Sequence, residues 1–445
     1  MPALWLGNAC TEHMVDRMDL LTEEDCRALL FTMKRLAWLL RDGDALVVPR
    51  PLPQSFLQHV ARHTGLDTSS IHLVSPDVGL LTQDRLHSDE VLEPLRGIVT
   101  PEWEFRPYIH DRGSVTFAQA LGLRTAGSPG FLTEGGAELL NSKVVFRALA
   151  AGAGFSVPAG MPCRTINDLT HSVTRLLSRA ASVIVKRDRA VSGHGNFVIT
   201  TDKDLEVTGA LSTYHLTDPR NLDEVVAAAG LTSSHAPLGE VVVEEFHPGC
   251  RSVYVEVLCP EDGTEPTLVN SGQLRVGQDP PVLAGLELPL TSIPERSWRE
   301  FSEESLRMAR LMQRLGYTGL ANIDAVVSPA GELWFNEVNA RMGGSTHLHS
   351  IAETLVGPDW SDTHTLLSRF NVVAPPLRTL LKELEANALA WDPERRRGVV
   401  IASDDTDVSG TVEYVVLAPS RDQGAALEAK LEHILADARR RPGHA

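Results

Sequence analysis

The stretch Gly319–Val327, followed by 331–344, constrains this chain more than any other. It reads as two β-strands joined by a tight turn. Asp324 sits in the first strand, and Glu337 and Asn339 lie near the end of the second. Strand side chains alternate faces, so Glu337 and Asn339 point the same way. Two acids and an amide oxygen converging from neighbouring strands form a hard, oxygen-only donor set that suits magnesium. The plain alternative is a surface hairpin with solvated carboxylates. Against it, the acids interrupt apolar runs that should be buried, and burying unpaired carboxylates costs roughly several kcal/mol.

Charge narrows the partners. The formal net charge of the 445 residues is −17, whereas a nucleic-acid binder needs clustered Lys and Arg to displace counterions. No nucleic acid is therefore expected as a partner. A nucleotide is still admissible, because a few local basic residues can hold phosphates. The length allows two to four domains, each with its own core. Five cysteines, Cys10, Cys26, Cys163, Cys250 and Cys259, are odd in number and lack metal-ligand spacing, which suggests reduced thiols. The first residues have neither a basic region nor a long apolar core, so no signal peptide is expected. No apolar run approaches the ~20 residues of a membrane helix. A cytoplasmic protein without a membrane partner is the expectation.

Upstream of the hairpin, residues 3–6 read as a short buried strand ending at Gly7-Asn8. Thr22 is a candidate N-cap, with Glu23, Glu24 and Asp25 in the first turn favouring the helix dipole. Apolar residues from Leu29 to Leu40 then recur at helical spacing, up to Gly43. Residues 45–48 and 55–63 repeat strand and helix, which suggests a small α/β domain with a parallel sheet. Ligands of such sheets bind at the carboxyl ends of strands. Gly7-Asn8 is thus a candidate site, with an ordinary turn equally compatible. Residues 76–112, with four prolines, read as an irregular connection, and 279–296 as another Pro-rich irregular segment.

Lys143 opens a helix, where a cation is disfavoured by the dipole unless it meets an anion. Lys186 ends the apolar run 182–186. The Gly-rich segment Ser192-Gly193-His194-Gly195-Asn196 follows, before apolar residues resume at Phe197. Such a turn between antiparallel strands can lay backbone N–H groups over phosphates; a plain hairpin tip is the alternative. The run Val241-Val242-Val243-Glu244-Glu245-Phe246-His247-Pro248-Gly249 is a strand ending at a hinge. After the hairpin, Gly343-Gly344 leads into a helix. His347 and His349, two residues apart on it, do not share a face and read as loop or core histidines. Beyond Pro375-Pro376 a helix, two strands and a final helix read as a compact α+β appendage.

Taken together, this order resembles the ATP-grasp superfamily of carboxylate–amine ligases over roughly 130–370. The Gly7-Asn8 start and the α+β tail also resemble the pheganomycin-type peptide ligases. The resemblance implies a pre-ATP-grasp α/β domain over 1–112 and a two-lobed core over 113–375, with its lid lobe at about 155–245. A C-terminal α+β domain over 376–445 would follow. It implies further that Lys143 and Lys186 contact ATP phosphates, with 193–196 folding over them as a lid. Glu244 would face the adenine amino group, with Glu245, Phe246 and His247 along the base edge. Asp324, Glu337 and Asn339 would hold two magnesium ions, with manganese as an alternative. Arg341 would lie near the transferred phosphate. Gly343 and Gly344 would offer backbone to the carboxylate substrate. Relatives of this kind are often homodimers.

Two positions depart from the pattern. Cys250 and Arg251 stand where many relatives place a ribose-binding acid. Asn322 stands where some place an Arg that steadies the tetrahedral intermediate; Arg275 or Arg341 is expected to supply that charge. The chemistry implied is phosphorylation of an amino-acid carboxylate by ATP and attack by a peptide or amino-acid amine, with release of ADP and phosphate. A bicarbonate-activating carboxylase and a non-catalytic ATP-binding module are the competing expectations.

Overall fold

The computed structural model describes residues 1–440 except 10, 12–14, 16–17, 19–20, 77–78, 190–194, 219–220, 232–239 and 278–282. Three sheets organise the described chain. The first contains β1 (Ala3–Leu6), β2 (Ala45–Val47), β3 (His72–Val74) and β4 (Glu104–Pro107) in the order β3-β2-β1-β4. Every pairing in it is parallel. The expected small α/β domain is therefore present, but three elements within 76–112 were not anticipated: the helices Gln83–Leu86 and Asp89–Arg96, and β4. The helix Asp89–Arg96 contains Pro94, and β4 ends on Pro107. β4 is an edge strand, the place where a sheet tolerates a residue without an N–H. The single helix expected up to Leu40 is instead an α-helix, Glu23–Met33, continued as a 3₁₀ turn, Lys34–Leu39.

The second sheet contains β5 (Gly160–Cys163), β6 (Ser182–Arg187), β7 (Asn196–Thr200), β8 (Ser212–His215) and β9 (Val241–Glu245), ordered β5-β9-β6-β7-β8. Its apolar side packs on the helix Ile166–Leu177, which is fixed at its start by a Thr165–Asp168 capping box. β6 and β7 pair antiparallel with Lys186 opposite Asn196, the frame the Gly-rich turn requires. Ser192, Gly193 and His194 themselves lie outside the described residues.

The third sheet has eight strands: β10 (Arg251–Cys259), β11 (Thr267–Val276), β12 (Leu283–Leu288), β13 (Gly319–Val327), β14 (Leu333–Asn339), β15 (Thr365–Val373), β16 (Gly398–Asp405) and β17 (Thr411–Ala418). Their order is β14-β13-β10-β11-β12-β15-β17-β16, and each pairing is antiparallel. β12 lies in the segment expected to be irregular. The tail strands β16 and β17 extend this sheet through β15 rather than building one of their own. On one face, Val253, Val255, Ile323, Ala325, Phe335 and Val338 pack against Phe301, Met308 and Met312 of the helix Glu295–Leu315. Burying each such side chain contributes ~1.5–3 kcal/mol. The opposite face carries the polar residues described next.

The first sheet's domain and the tail are fastened by buried polar contacts. Lys34 Nζ reaches Asp405 Oδ1 at 2.6 Å and the Asp404 carbonyl at 2.8 Å. Trp38 Nε1 donates to the Ala402 carbonyl at 3.0 Å. Arg35 Nε meets Glu413 Oε2 at 2.6 Å, and His347 Nε2 meets the same oxygen at 3.1 Å. His347 is thus a core histidine, as its spacing implied. His349 is half-buried, accepting from Trp360 Nε1 at 3.1 Å and facing Glu353 Oε1 at 3.3 Å.

Candidate active site

β13 and β14 pair so that Asp324 faces Glu337 and Asn322 faces Asn339. The register shifts between Asp324 and Ala325, whose partner is Phe335, leaving Asn336 as an extra residue. A bulge turns consecutive side chains toward one side. Phe335 and Val338 stay in the core, and both Asn336 and Glu337 face the polar side. Asn339 Nδ2 donates to Asp324 Oδ2 at 2.8 Å, and its Oδ1 accepts from Arg341 Nη1. Burial, reinforced by the Glu337 charge, holds the Asp324 carboxyl well above the usual carboxylate range. Burial would raise Glu337 too, but Lys143 and then Lys186 outweigh it and hold Glu337 low.

Both lysines arrive from other elements. Ser142 caps the helix Lys143–Gly152, accepting from the Val145 N–H at 3.1 Å, and both Ser142 Oγ and the Val144 N–H donate to Asp188 Oδ1 at 2.8 Å. This clamp ties the helix start to the end of β6. Lys143 Nζ meets Glu337 Oε2 at 3.0 Å. Lys186, buried on β6, meets Glu244 Oε2 at 2.6 Å and also donates to Asn336 Oδ1. Glu244 Oε1 accepts from Arg147 Nη1 at 2.7 Å. Asn336 and Arg147 were not anticipated. A bulge leaves no mark in alternation, and Arg147 stands among apolar residues of the helix that Lys143 opens.

At the hinge, the Glu245 N–H donates to the Ala159 carbonyl at 2.8 Å and the Phe246 N–H to the Ser182 carbonyl at 3.1 Å. The His247 ring stacks on Trp334 at 4.1 Å with an interplanar angle of 8°, and its Nε2 is buried without a hydrogen bond.

Beneath the Arg341–Gly344 turn lies a buried carboxylate that the sequence did not single out. Glu256 on β10 is opposite Asn322 on β13 and Asn270 on β11. It accepts from Asn270 Nδ2 at 2.6 Å and from Thr346 Oγ1. Thr346 Oγ1 in turn accepts the Gly343 N–H at 2.9 Å. Burial raises the Glu256 carboxyl, and the Thr346 and Asn270 bonds oppose that rise. Asn322 packs so closely under Gly343 that a Cβ there would collide with its amide. Asn322 Nδ2 also faces the Arg341 carbonyl at 3.4 Å. Asn322 is thus the floor of this turn.

Two of the expected site residues have other work. Arg275 alternates with Gln273 and Ser271, opposite Val253 and Val255, on the sheet face away from Asp324. There its guanidinium makes a two-pronged pair with Glu428, at 2.8 and 2.6 Å, and so Arg275 is not brought to the site. Asn8 is buried, donating to the Ile109 carbonyl at 2.8 Å and accepting the Ile109 N–H at 3.1 Å. That uses its amide to join the ends of β1 and β4. The loop it shapes does reach the site, since the Tyr108 carbonyl accepts the Met342 N–H at 3.1 Å.

Comparison with known proteins agrees with this frame. Residues 33–123 match the Pre ATP-grasp domain family, and residues 379–431 match the PGM1 C-terminal domain family. The fold resembles biotin carboxylase from Campylobacter jejuni, with a TM-score of 0.59 over 95% of this chain and 89% of that one, at 12% identity. It also resembles N5-carboxyaminoimidazole synthetase from Staphylococcus aureus complexed with ADP, with a TM-score of 0.53 over 97% and 96%, at 10% identity. The chain carries a Pre ATP-grasp domain and shares the fold of these enzymes. By sequence it is also similar to the [butirosin acyl-carrier protein]–L-glutamate ligase of Niallia circulans, 25% identical over 217 residues. That match covers 47% of this chain and 45% of the relative's length.

In this fold the donor set fits a hard dication. The facing Asp324 and Glu337 carboxylates and Asn339 Oδ1 are oxygens alone. Burial, and after it the charge of the facing Glu337, raises the Asp324 carboxyl, and a cation between the two would favour its ionised form. Among the described residues no three His, Cys, Asp or Glu side chains form a metal cluster. Nor, among those residues, is any helix long and apolar enough to cross a membrane.

Proposed function

We propose that this chain is an ATP-dependent peptide ligase. It joins an amino-acid carboxylate to the amine of a peptide or amino acid, releasing ADP and phosphate. The carrying observation is the convergence of Lys143, Asp324, Glu337, Asn339 and Arg341 on one polar sheet face, with Lys186 and Glu244 beside them at the hinge. The relative named for joining L-glutamate to an acyl-carrier protein supports ligation over carboxylation. The likeness to carboxylases is one of fold.

In this reading, Lys143 and Lys186 bind the phosphates of ATP and orient its terminal phosphoryl group. The hinge residues Glu244, Glu245, Phe246 and His247 line the base. Asp324, Glu337 and Asn339 would hold one or two magnesium ions, with manganese as a substitute, which neutralise charge on the phosphates. Arg341, held by Asn339 and the turn above Asn322, binds the carboxylate and then the acyl phosphate formed from it. Gly343 and Gly344 border that substrate. A carboxylate oxygen attacks the terminal phosphorus of ATP and the P–O bond to ADP breaks; an amine then attacks the acyl carbon, the C–O bond to phosphate breaks, and phosphate leaves carrying the proton the amine loses. Closure excludes water from the acyl phosphate. The reading divides the chain at 112 and 375, with a lid lobe over about 155–245. It places the enzyme in the cytoplasm, as a homodimer, in specialised metabolism of the antibiotic-forming kind.

The test is a screen of amino acids and short peptides for ADP release in the presence of hydroxylamine. Amino-acid hydroxamates with equal ADP and phosphate are expected, together with collapse of turnover in Glu337→Gln. AMP with pyrophosphate would overturn the reading. ADP formation that needs bicarbonate and no amino acid would favour a carboxylase. Undiminished function in Glu337→Gln would favour a non-catalytic module.

A further inference from the structure

Each member of the proposed metal donor set is already capped by a neighbour's N–H. Lys143 Nζ sits on Glu337 Oε2 at 3.0 Å, Asn339 Nδ2 on Asp324 Oδ2 at 2.8 Å, and Arg341 Nη1 on Asn339 Oδ1. The Lys143 and Glu337 side chains are only 11% and 25% exposed, so water screens their attraction poorly. The cap is also held from behind. Lys143 is the first residue of its helix, and the Ser142 and Val144 bonds to Asp188 fix that helix start against β6.

We propose that Lys143 guards Glu337, so that a divalent cation enters this site only together with an anion that draws the ammonium away. This inference rests on the ATP reading and deepens it. A dication approaching alone must displace Lys143 and leave its ammonium beside a second positive charge. A polyphosphate arriving with the cation offers Lys143 a new partner at the positive end of its own helix. The carboxylate then becomes available without stranding the lysine. One residue thereby links entry of the metal to entry of the nucleotide.

The experiment measures Mn²⁺ binding to the full-length protein by the electron paramagnetic resonance signal of free Mn²⁺, without nucleotide. Lys143→Met and Lys143→Gln are compared with wild type, and the double variant with Glu337→Gln locates the effect. Thermal unfolding confirms that each variant is folded; having two neutral replacements protects against the failure of one. The expected result is Mn²⁺ affinity about tenfold higher in the Lys143 variants, the equivalent of one displaced ion pair in a poorly solvated site, and loss of that gain with Glu337→Gln. Equal Mn²⁺ affinity in wild type and both Lys143 variants would overturn the proposal. So would a gain that survives Glu337→Gln. Binding of a non-hydrolysable ATP analogue to wild type is measured separately. If none binds, the ATP reading fails, whatever Mn²⁺ does.

Discussion

At the scale of single residues, the site is governed by two carboxyl groups that cannot both be charged cheaply. Asp324 is buried and faces Glu337, and its carboxyl is pushed up, first by burial and then by that neighbour. A ligand to a dication must shed its proton, so metal affinity rises as pH rises toward the elevated value for Asp324. The sign follows from the direction of the shift. The native state holds this proton more tightly than the unfolded chain, so Asp324's own contribution to stability is present at low pH. It fades as pH climbs from the unfolded value through the folded one. On the proposed reading, bound Mg²⁺ would reverse that trend. Thermal unfolding with Mg²⁺ and a non-hydrolysable ATP analogue should show greater stabilisation at pH 8 than at pH 5.5, with the difference lost in Asp324→Asn. An equal shift at both pH values in wild type would contradict this account of the pair.

At the scale of elements, the seam between the core and the tail is set by β11, β15 and the helix Arg421–Arg440. Arg275 on β11 pairs with Glu428 of that helix, which also accepts from Tyr414 Oη at 2.9 Å. Removing the guanidinium leaves a largely buried carboxylate without its main partner. Arg275→Met is therefore predicted to cost roughly 3 kcal/mol in urea unfolding, while ADP release per folded molecule stays near wild type. A selective loss of turnover with unchanged stability would return Arg275 to the chemistry. The error over Arg275 shows what alternation can and cannot give. The hairpin was legible because Asp324, Glu337 and Asn339 break apolar runs at strand spacing. Which face of β11 meets that hairpin depends on its pairing with β10, and no local pattern encodes that. Likewise β4 and β12 were hidden by prolines that edge positions and strand starts tolerate. Asn336 was hidden by a bulge, and Glu256 by being one acid in a strand whose partners lie far along the chain. Asn8 showed a different limit. A Gly-Asn pair marks the end of a strand equally well whether its amide serves a ligand or, as here, Ile109.

At the scale of the molecule, the first domain and the tail are fastened into one support beside the proposed site. His59 of the first domain accepts the Ile401 N–H of β16 at 3.2 Å and lies edge-on to Trp38. Burial, then the charges of His63 and Arg62, lower it to about 3. A depressed pKa means that the stability contributed by the neutral ring is complete above the unfolded value near 6.5 and is lost as pH falls toward 3. Between pH 6.5 and 4.5 this residue alone should remove roughly 2 kcal/mol. Urea midpoints across that window should fall less steeply in His59→Asn than in wild type. Identical slopes would mean that this interface does not carry the acid sensitivity.

The central claim is that the polar face of β13 and β14 serves to phosphorylate a carboxylate. It is tested most directly by ¹⁸O transfer. An amino acid that supports ADP release is supplied with both carboxylate oxygens labelled, together with ATP, Mg²⁺ and an amine acceptor, and the released phosphate is analysed by mass spectrometry. The account predicts one ¹⁸O atom in each phosphate formed, because the acyl C–O bond breaks when the amine attacks. Unlabelled phosphate, or label recovered in AMP, would contradict it.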